Sequence, residues 1–145
     1  MALNFQVVVD CNDPHTLADW WAETLEWVVE PQDEAFIRSM VEQGFATDEE
    51  TTTHNGKLVW KTGAAIIPSE DQDKATGKRV LFQAVPEGKS TKNRIHLDVR
   101  LAGQDKDVVR AALEARGAKH LWTAGQGPHE WHTMADPEGN EFCIS

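Results

Sequence analysis

The chain has 145 residues, of which 40% are hydrophobic and 26% charged, and its formal net charge is −10. This length suffices for one domain with one core, or for two small halves that share it. The negative charge argues against nucleic-acid binding and against docking on anionic membranes, because both need clustered Lys and Arg. The N-terminus does not resemble a signal peptide and no segment approaches about 20 consecutive apolar residues. We therefore expect a cytoplasmic protein whose two cysteines are free thiols.

The first segment is typical of a strand followed by an amphipathic helix. A β-branched run, Val7 to Val9, predicts a strand over residues 4–10. Asp13 is a suitable N-cap and Pro14 suits the first helical position, so a helix is predicted from there to about Trp27.

The rest of the first half is less regular. Residues 31–45 are compatible with a short helix, and residues 46–56 resemble an exposed loop that ends in the turn signal Asn55-Gly56. Two strands are predicted, over residues 57–67 and 79–85, separated by a polar turn at 69–78. Residues 86–93 have the composition of a linker between halves.

The second half repeats this order of elements. A strand is predicted over residues 94–101, then a helix over 105–117 with Val108, Val109, Ala112 and Leu113 facing inward and Gly117 as its stop. Three short strands follow, over residues 118–122, 130–136 and 140–145, and the last two are joined by the turn Pro137-Glu138-Gly139.

Each half therefore reads as a strand, a helix and about three strands, with Gln6 and His96 at equivalent positions. The predicted fold class is α+β, with repeat one over residues 1–88 and repeat two over residues 93–145 of a single domain. A helix packed on four strands buries only one face of the sheet. Two tandem βαβββ repeats would thus leave a cleft between two mixed sheets, which is a favoured place for a ligand.

Two motifs carry a resemblance to a known family: "KNRIHLDVR" opens the second half and "ADPEGNEFCI" closes the chain. With the repeat, they resemble the vicinal oxygen chelate superfamily, which includes glyoxalase I, extradiol dioxygenases, and fosfomycin- and bleomycin-resistance proteins. The segment "FQAVPEGKSTKNRIHLDV" is similar to glyoxalase-like domains of the actinobacterial type. The resemblance covers essentially the whole chain and implies the glyoxalase-like fold, a small-molecule ligand and a homodimer.

The resemblance also implies a metal site with four ligand positions, on the first and last strands of each repeat. These positions fall on Gln6, Gln83, His96 and Cys143, and only His96 has the residue type usual in the family. A divalent metal (Zn, Fe, Mn or Ni) is thus one expectation, and no cofactor is the other. Glu141 should share the sheet face of Cys143, since it lies two residues earlier on the same strand.

Three functions stay open at this stage. The first is an enzyme, a lyase, isomerase or dioxygenase, that acts on a substrate with adjacent oxygens through His96 as the catalytic residue. The second is a metal-free protein that sequesters a ligand between Trp60 and Trp131, with Glu141 in contact. The third is a regulatory module. Against each stands a structural interpretation, in which His96 and Cys143 fill the interior and the tryptophans pack in the core.

Overall fold

The computed structural model describes residues 1–69 and 78–145, so most of the predicted turn at 69–78 lies outside the described residues. Within these ranges there are three α-helices and ten strands. The strands form two four-stranded mixed sheets and a two-stranded hairpin. They divide into two compact units, Met1–Glu87 and Gly88–Ser145. The predicted α+β class with two βαβββ repeats is confirmed. None of the described helices has the length and apolar character needed to cross a membrane.

The first unit combines a four-stranded sheet with a separate hairpin. Its helices are Pro14–Leu25 (α1) and Glu34–Glu42 (α2), with a 3-10 turn at Asp48–Glu50. Its strands are Val7–Cys11 (β1), Val28–Val29 (β2), Thr51–His54 (β3), Lys57–Trp60 (β4), Gly63–Ile67 (β5) and Val80–Ala84 (β6). The sheet order is β1-β6-β5-β2, with β1 parallel to β6 and the other pairs antiparallel.

Helix α1 begins where the sequence predicts. The Asp13 side chain accepts a hydrogen bond from the backbone N–H of Thr16, and Pro14 occupies the first turn. This cap satisfies one of the N–H groups that a helix start leaves without an intrahelical partner. The helix packs on β5 and β6 and buries a face that includes Leu17 and Trp21. The predicted helix is confirmed, and it ends two residues before Trp27.

Two predictions in the first unit are wrong. Residues 46–56 are not all loop, because Thr51–His54 pairs antiparallel with Lys57–Trp60. Asn55 and Gly56, with φ of 50° and 77°, form the turn between these strands, as in two-residue hairpins. The strand expected over residues 57–67 is broken by a turn at positions 61–62, so its halves belong to different sheets.

The second unit repeats the sheet order of the first. Its elements are Leu97–Val99 (β7), Lys106–Ala115 (α3), Lys119–Gln126 (β8), His129–Ala135 (β9) and Glu141–Ile144 (β10). The order is β7-β10-β9-β8, so in each unit the first strand lies parallel to the last.

The second unit also corrects the sequence analysis at three places. Strand β7 is shorter than residues 94–101, so His96 directly precedes it. Strand β8 continues to Gln126 rather than ending at residue 122. In α3 only Leu113 of the four predicted inward residues is buried, and Val108 is 66% exposed. The contact of α3 with the sheet is therefore a narrow stripe rather than a broad apolar face.

A buried carboxylate organises the turn before β10. Asp136 is 3% exposed, and its Oδ1 accepts hydrogen bonds of 2.9 Å from the backbone N–H groups of both Glu138 and Asn140. The Asn140 side chain donates a further bond of 3.1 Å to Oδ2. Gly139, at φ +91°, adopts the left-handed backbone that this turn requires. The turn thereby sets β10 beside β9.

We predict that Asp136→Ala lowers the free energy of unfolding by about 3 kcal/mol, because buried donors that lose their acceptor retain their full desolvation cost. Chemical denaturation of the whole chain measures this value. Glu49→Ala, at an exposed carboxylate, is the control and should change stability by less than about 0.5 kcal/mol. Equal effects of the two substitutions would contradict the structural role of Asp136.

Candidate functional site

A pocket of about 330 Å³ lies on one face of the second-unit sheet. Successive residues of a strand point to opposite faces, so residues at spacing two share a face. Accordingly Glu141 and Cys143 of β10 line the pocket together, as the sequence analysis expected. Trp131 of β9 and Trp122 of β8 also line it. Strand β10 therefore supplies polar groups to the pocket, and the adjacent strands β8 and β9 supply its aromatic side chains.

His96 and Asp98 complete the polar side of this pocket. The distance from His96 Nε2 to Asp98 Oδ1 is 3.2 Å. Three possible ligand atoms lie within 4.8 Å of one another, one each from His96, Asp98 and Cys143. The His96 and Asp98 side chains are 41% and 63% exposed, and Cys143 is half-buried. Asp98 is not among the site residues predicted from the sequence. The signal was present in the spacing of two between His96 and Asp98, which places both on one face.

The Cys143 thiol has a polar neighbour of its own. Thr133 of β9 lies opposite Cys143 in the register of β9 and β10, and its Oγ1 is 3.4 Å from the Cys143 Sγ. Thr133 is buried. This contact places a hydroxyl beside the Cys143 sulfur, which lines the pocket. A cysteine is a metal ligand when its thiol is deprotonated.

Glu141 lines the same pocket, but both of its carboxylate oxygens have partners. Lys89 Nζ lies 3.0 Å from Oε1, and the backbone N–H of Asn93 donates to Oε2 at 3.1 Å. The side chain is 11% exposed. Burial by itself raises the pKa of Glu141, but the hydrogen bonds from Asn93 and Lys89 outweigh burial, so the pKa is lowered. Glu141 therefore ties the segment before β7 to β10 in its ionised form.

The other predicted site residues lie in the first unit. Gln6 Oε1 accepts a hydrogen bond of 2.9 Å from Arg79, whose guanidinium also binds the Glu30 carboxylate with two contacts of 3.0 Å. Gln83 and Trp60 line a cavity of about 820 Å³ within this unit. The structure thus brings His96, Trp131, Glu141 and Cys143 together in one pocket, and the four-residue metal set that includes the glutamines stays a prediction.

The comparison with protein families agrees with this fold. The model of the family described as "Glyoxalase-like domain" matches residues 6–145 of the chain. The chain therefore belongs to the glyoxalase-like domain family. No curated protein matches the sequence.

Solved structures share the fold at low sequence identity. A protein from Agrobacterium tumefaciens, solved by NMR in solution, has a TM-score of 0.62 at 13% identity, over 99% of this chain and 96% of that one. A member of the glyoxalase/bleomycin resistance protein/dioxygenase superfamily from Sphaerobacter thermophilus has a TM-score of 0.56 at 13% identity, with coverage of 99% and 96%. The fosfomycin resistance protein FosX from Listeria monocytogenes has a TM-score of 0.62 at 8% identity, with coverage of 99% and 91%.

We predict that the acid stability of the chain depends on Glu141. Because its pKa is lower in the folded state, the carboxylate stabilises the fold above its unfolded-state pKa of about 4.3. This contribution is lost as the pH falls through the lower folded-state pKa. The difference in unfolding free energy between wild type and Glu141→Gln should therefore shrink from pH 7 to pH 3.

Urea titrations at several pH values measure this difference. The control is Glu42→Gln, at an exposed carboxylate near the end of α2, and its difference from wild type should not vary with pH in the same way. A Glu141→Gln difference that is constant from pH 7 to pH 3 would show that the ties to Lys89 and Asn93 do not form in solution.

Proposed function

We propose that the second-unit pocket binds a small molecule through a divalent cation held by His96, Asp98 and Cys143. The observation that carries this proposal is the approach of their three ligand atoms to within 4.8 Å of one another. Membership of the glyoxalase-like domain family supports it, and so does the FosX structure, which contains Mn(II) and 1S,2S-dihydroxypropylphosphonic acid.

The three donors fit one ion in separation and charge. Metal–ligand bonds to nitrogen, oxygen and sulfur measure roughly 2.0–2.3 Å, so two donors of one ion can lie up to about 4.6 Å apart. The His96–Asp98 separation is 3.2 Å, and the widest in the group is no more than 4.8 Å, which small side-chain rotations close. A carboxylate and a thiolate together balance the charge of a divalent cation.

The sulfur ligand determines which cation suits the site. Thiolate favours zinc and other borderline metals, whereas manganese and magnesium prefer oxygen ligands. We therefore propose zinc or Fe(II) rather than manganese for this chain. Three protein ligands leave coordination positions for a substrate, as in catalytic zinc sites. When bound, such an ion supplies Lewis-acid polarisation of oxygens on the substrate.

The surrounding side chains recognise the rest of the molecule. Trp122 and Trp131 offer aromatic surfaces for a flat or apolar portion of the ligand, and Lys92 adds a positive charge to the lining. These features support a substrate with adjacent oxygens and an attached planar group. The reaction types compatible with this chemistry are those of a lyase, isomerase or dioxygenase. A cytoplasmic location and a homodimer stay predictions from the sequence.

A second candidate is metal-free binding of a cationic aromatic ligand. Trp122 is 45% exposed and the Asp98 side chain is 63% exposed, and both line the same pocket. An accessible indole and a carboxylate together suit a planar cation, through stacking and charge attraction. Such a pocket would serve the ligand sequestration that the resemblance to bleomycin-resistance proteins implies.

We predict near-stoichiometric zinc binding by the wild-type chain, and at least about a tenfold weaker affinity in His96→Ala, Asp98→Asn and Cys143→Ser, since each removes one of three ligands. Equilibrium dialysis with elemental analysis measures both quantities. His129→Ala is the matched control, because His129 is an exposed histidine of β9 that does not line the pocket. Affinities unchanged in all three site variants would eliminate the proposed metal site.

The second candidate makes a different prediction. A cationic aromatic dye such as acriflavine should quench tryptophan fluorescence with the same affinity in metal-stripped wild type and in Cys143→Ser, and more weakly in Asp98→Asn. Binding that requires zinc, or that is unaffected by Asp98→Asn, would argue against this candidate.

A further inference from the structure

A chain of hydrogen bonds lies on the other face of the second-unit sheet. Trp131 and Thr133 line the pocket, so His132 between them points to the opposite face, where α3 packs. His132 Nε2 lies 2.7 Å from Asp107 Oδ1, in the first turn of α3, and His132 Nδ1 lies 2.8 Å from Thr123 Oγ1. A carboxylate, an imidazole and a hydroxyl thus stand in sequence within hydrogen-bond reach.

A β-bulge in β8 brings a second histidine to this cluster. The register between β8 and β9 shifts between His120 and Trp122, so that His120 lies opposite Met134 and Thr123 lies opposite His132. Residues three apart normally point to opposite faces of a strand, but the extra residue puts His120 and Thr123 on one face. His120 Nε2 is consequently 3.0 Å from Thr123 Oγ1.

The donor and acceptor roles in this cluster follow from its carboxylate end. The hydrogen bond from His132 lowers the pKa of Asp107, so the carboxylate is ionised near neutral pH and acts only as an acceptor. His132 then carries its proton on Nε2, and its Nδ1 accepts the hydroxyl proton of Thr123. With that proton donated to His132, Thr123 Oγ1 still has lone pairs to accept a hydrogen bond from His120 Nε2, 3.0 Å away, in the tautomer that carries its proton there.

The central histidine of this cluster is buried, whereas the threonine beside it is exposed. The His132 side chain is 4% exposed, whereas Thr123 is exposed on β8. The base is therefore shielded from bulk water, while the residue that carries its hydroxyl partner is exposed. A nucleophile bonded to a base, which is itself oriented by a third group, is the arrangement that activates hydroxyls for covalent catalysis.

We propose that Thr123 is an activated nucleophile that accepts acyl groups from reactive carboxylic esters, with His132 as its general base. Thr123 Oγ1 forms a bond to the ester carbonyl carbon, and its proton passes to His132 Nδ1. The carbon–oxygen bond to the leaving alcohol breaks, and that alcohol takes the proton from His132. Water then cleaves the acyl-threonine by the same proton path, which releases the carboxylic acid and restores the hydroxyl. Asp107 acts as a positioning residue through His132.

The test uses p-nitrophenyl acetate with the full chain. We expect a burst of p-nitrophenolate and one acetyl group on the peptide that contains Thr123, identified by mass spectrometry. Thr123→Val should lose both, and Thr123→Ser should retain them. Thr53→Val, at an exposed threonine of the β3–β4 hairpin, is the matched control.

The role of the base is tested by His132→Asn, which should lower the acylation rate by about 10²-fold or more. Asp107→Asn should lower kcat with KM unchanged. Because His132 is buried and its variant risks misfolding, the Thr123 variants decide the question. An unlabelled Thr123 peptide, or equal ester cleavage by wild type and Thr123→Val, would overturn the proposal and assign the cluster to holding α3 on the sheet.

Discussion

The alternation of side chains along the second-unit strands determines which groups meet in this molecule. On one face it collects Trp131, Glu141 and Cys143 in a pocket, together with the His96 and Asp98 pair before and within β7. On the other face it leaves His132 to contact α3. The buried carboxylate of Asp136 holds the turn before β10, and this turn helps to place Cys143 of β10 in the pocket.

Solvation distinguishes the two acidic residues of the pocket. Burying a carboxylate is costly unless it is paired, and Glu141 is nearly buried with a partner on each oxygen. Asp98 keeps most of its exposure and lies 3.2 Å from His96, whose side chain is itself half-exposed. Glu141 therefore ties together the segments that form the pocket, and Asp98 is the more exposed of the two carboxylates. The sequence-based choice of Glu141 as a ligand contact stays a prediction, since Glu141 also lines the pocket.

Local signals in the sequence predicted the local features well. The Asp13-Pro14 start of α1, the Asn55-Gly56 turn and the common face of Glu141 and Cys143 all depend on residues close in the chain. The features that the sequence did not reveal depend on pairing between separate segments. The hairpin strand at Thr51 needs its pairing with Lys57–Trp60, and the tie of Glu141 needs Lys89, 52 residues away. The bulge that joins His120 to Thr123 has no glycine or proline to mark it.

A crystal of the full chain grown with zinc shows whether His96, Asp98 and Cys143 form one metal site. Anomalous diffraction at the zinc absorption edge locates the ion without assumptions about its ligands. We expect a single strong peak about 2.0–2.3 Å from His96 Nε2, an Asp98 oxygen and Cys143 Sγ. A peak elsewhere, or none at this pocket under saturating zinc, would contradict it.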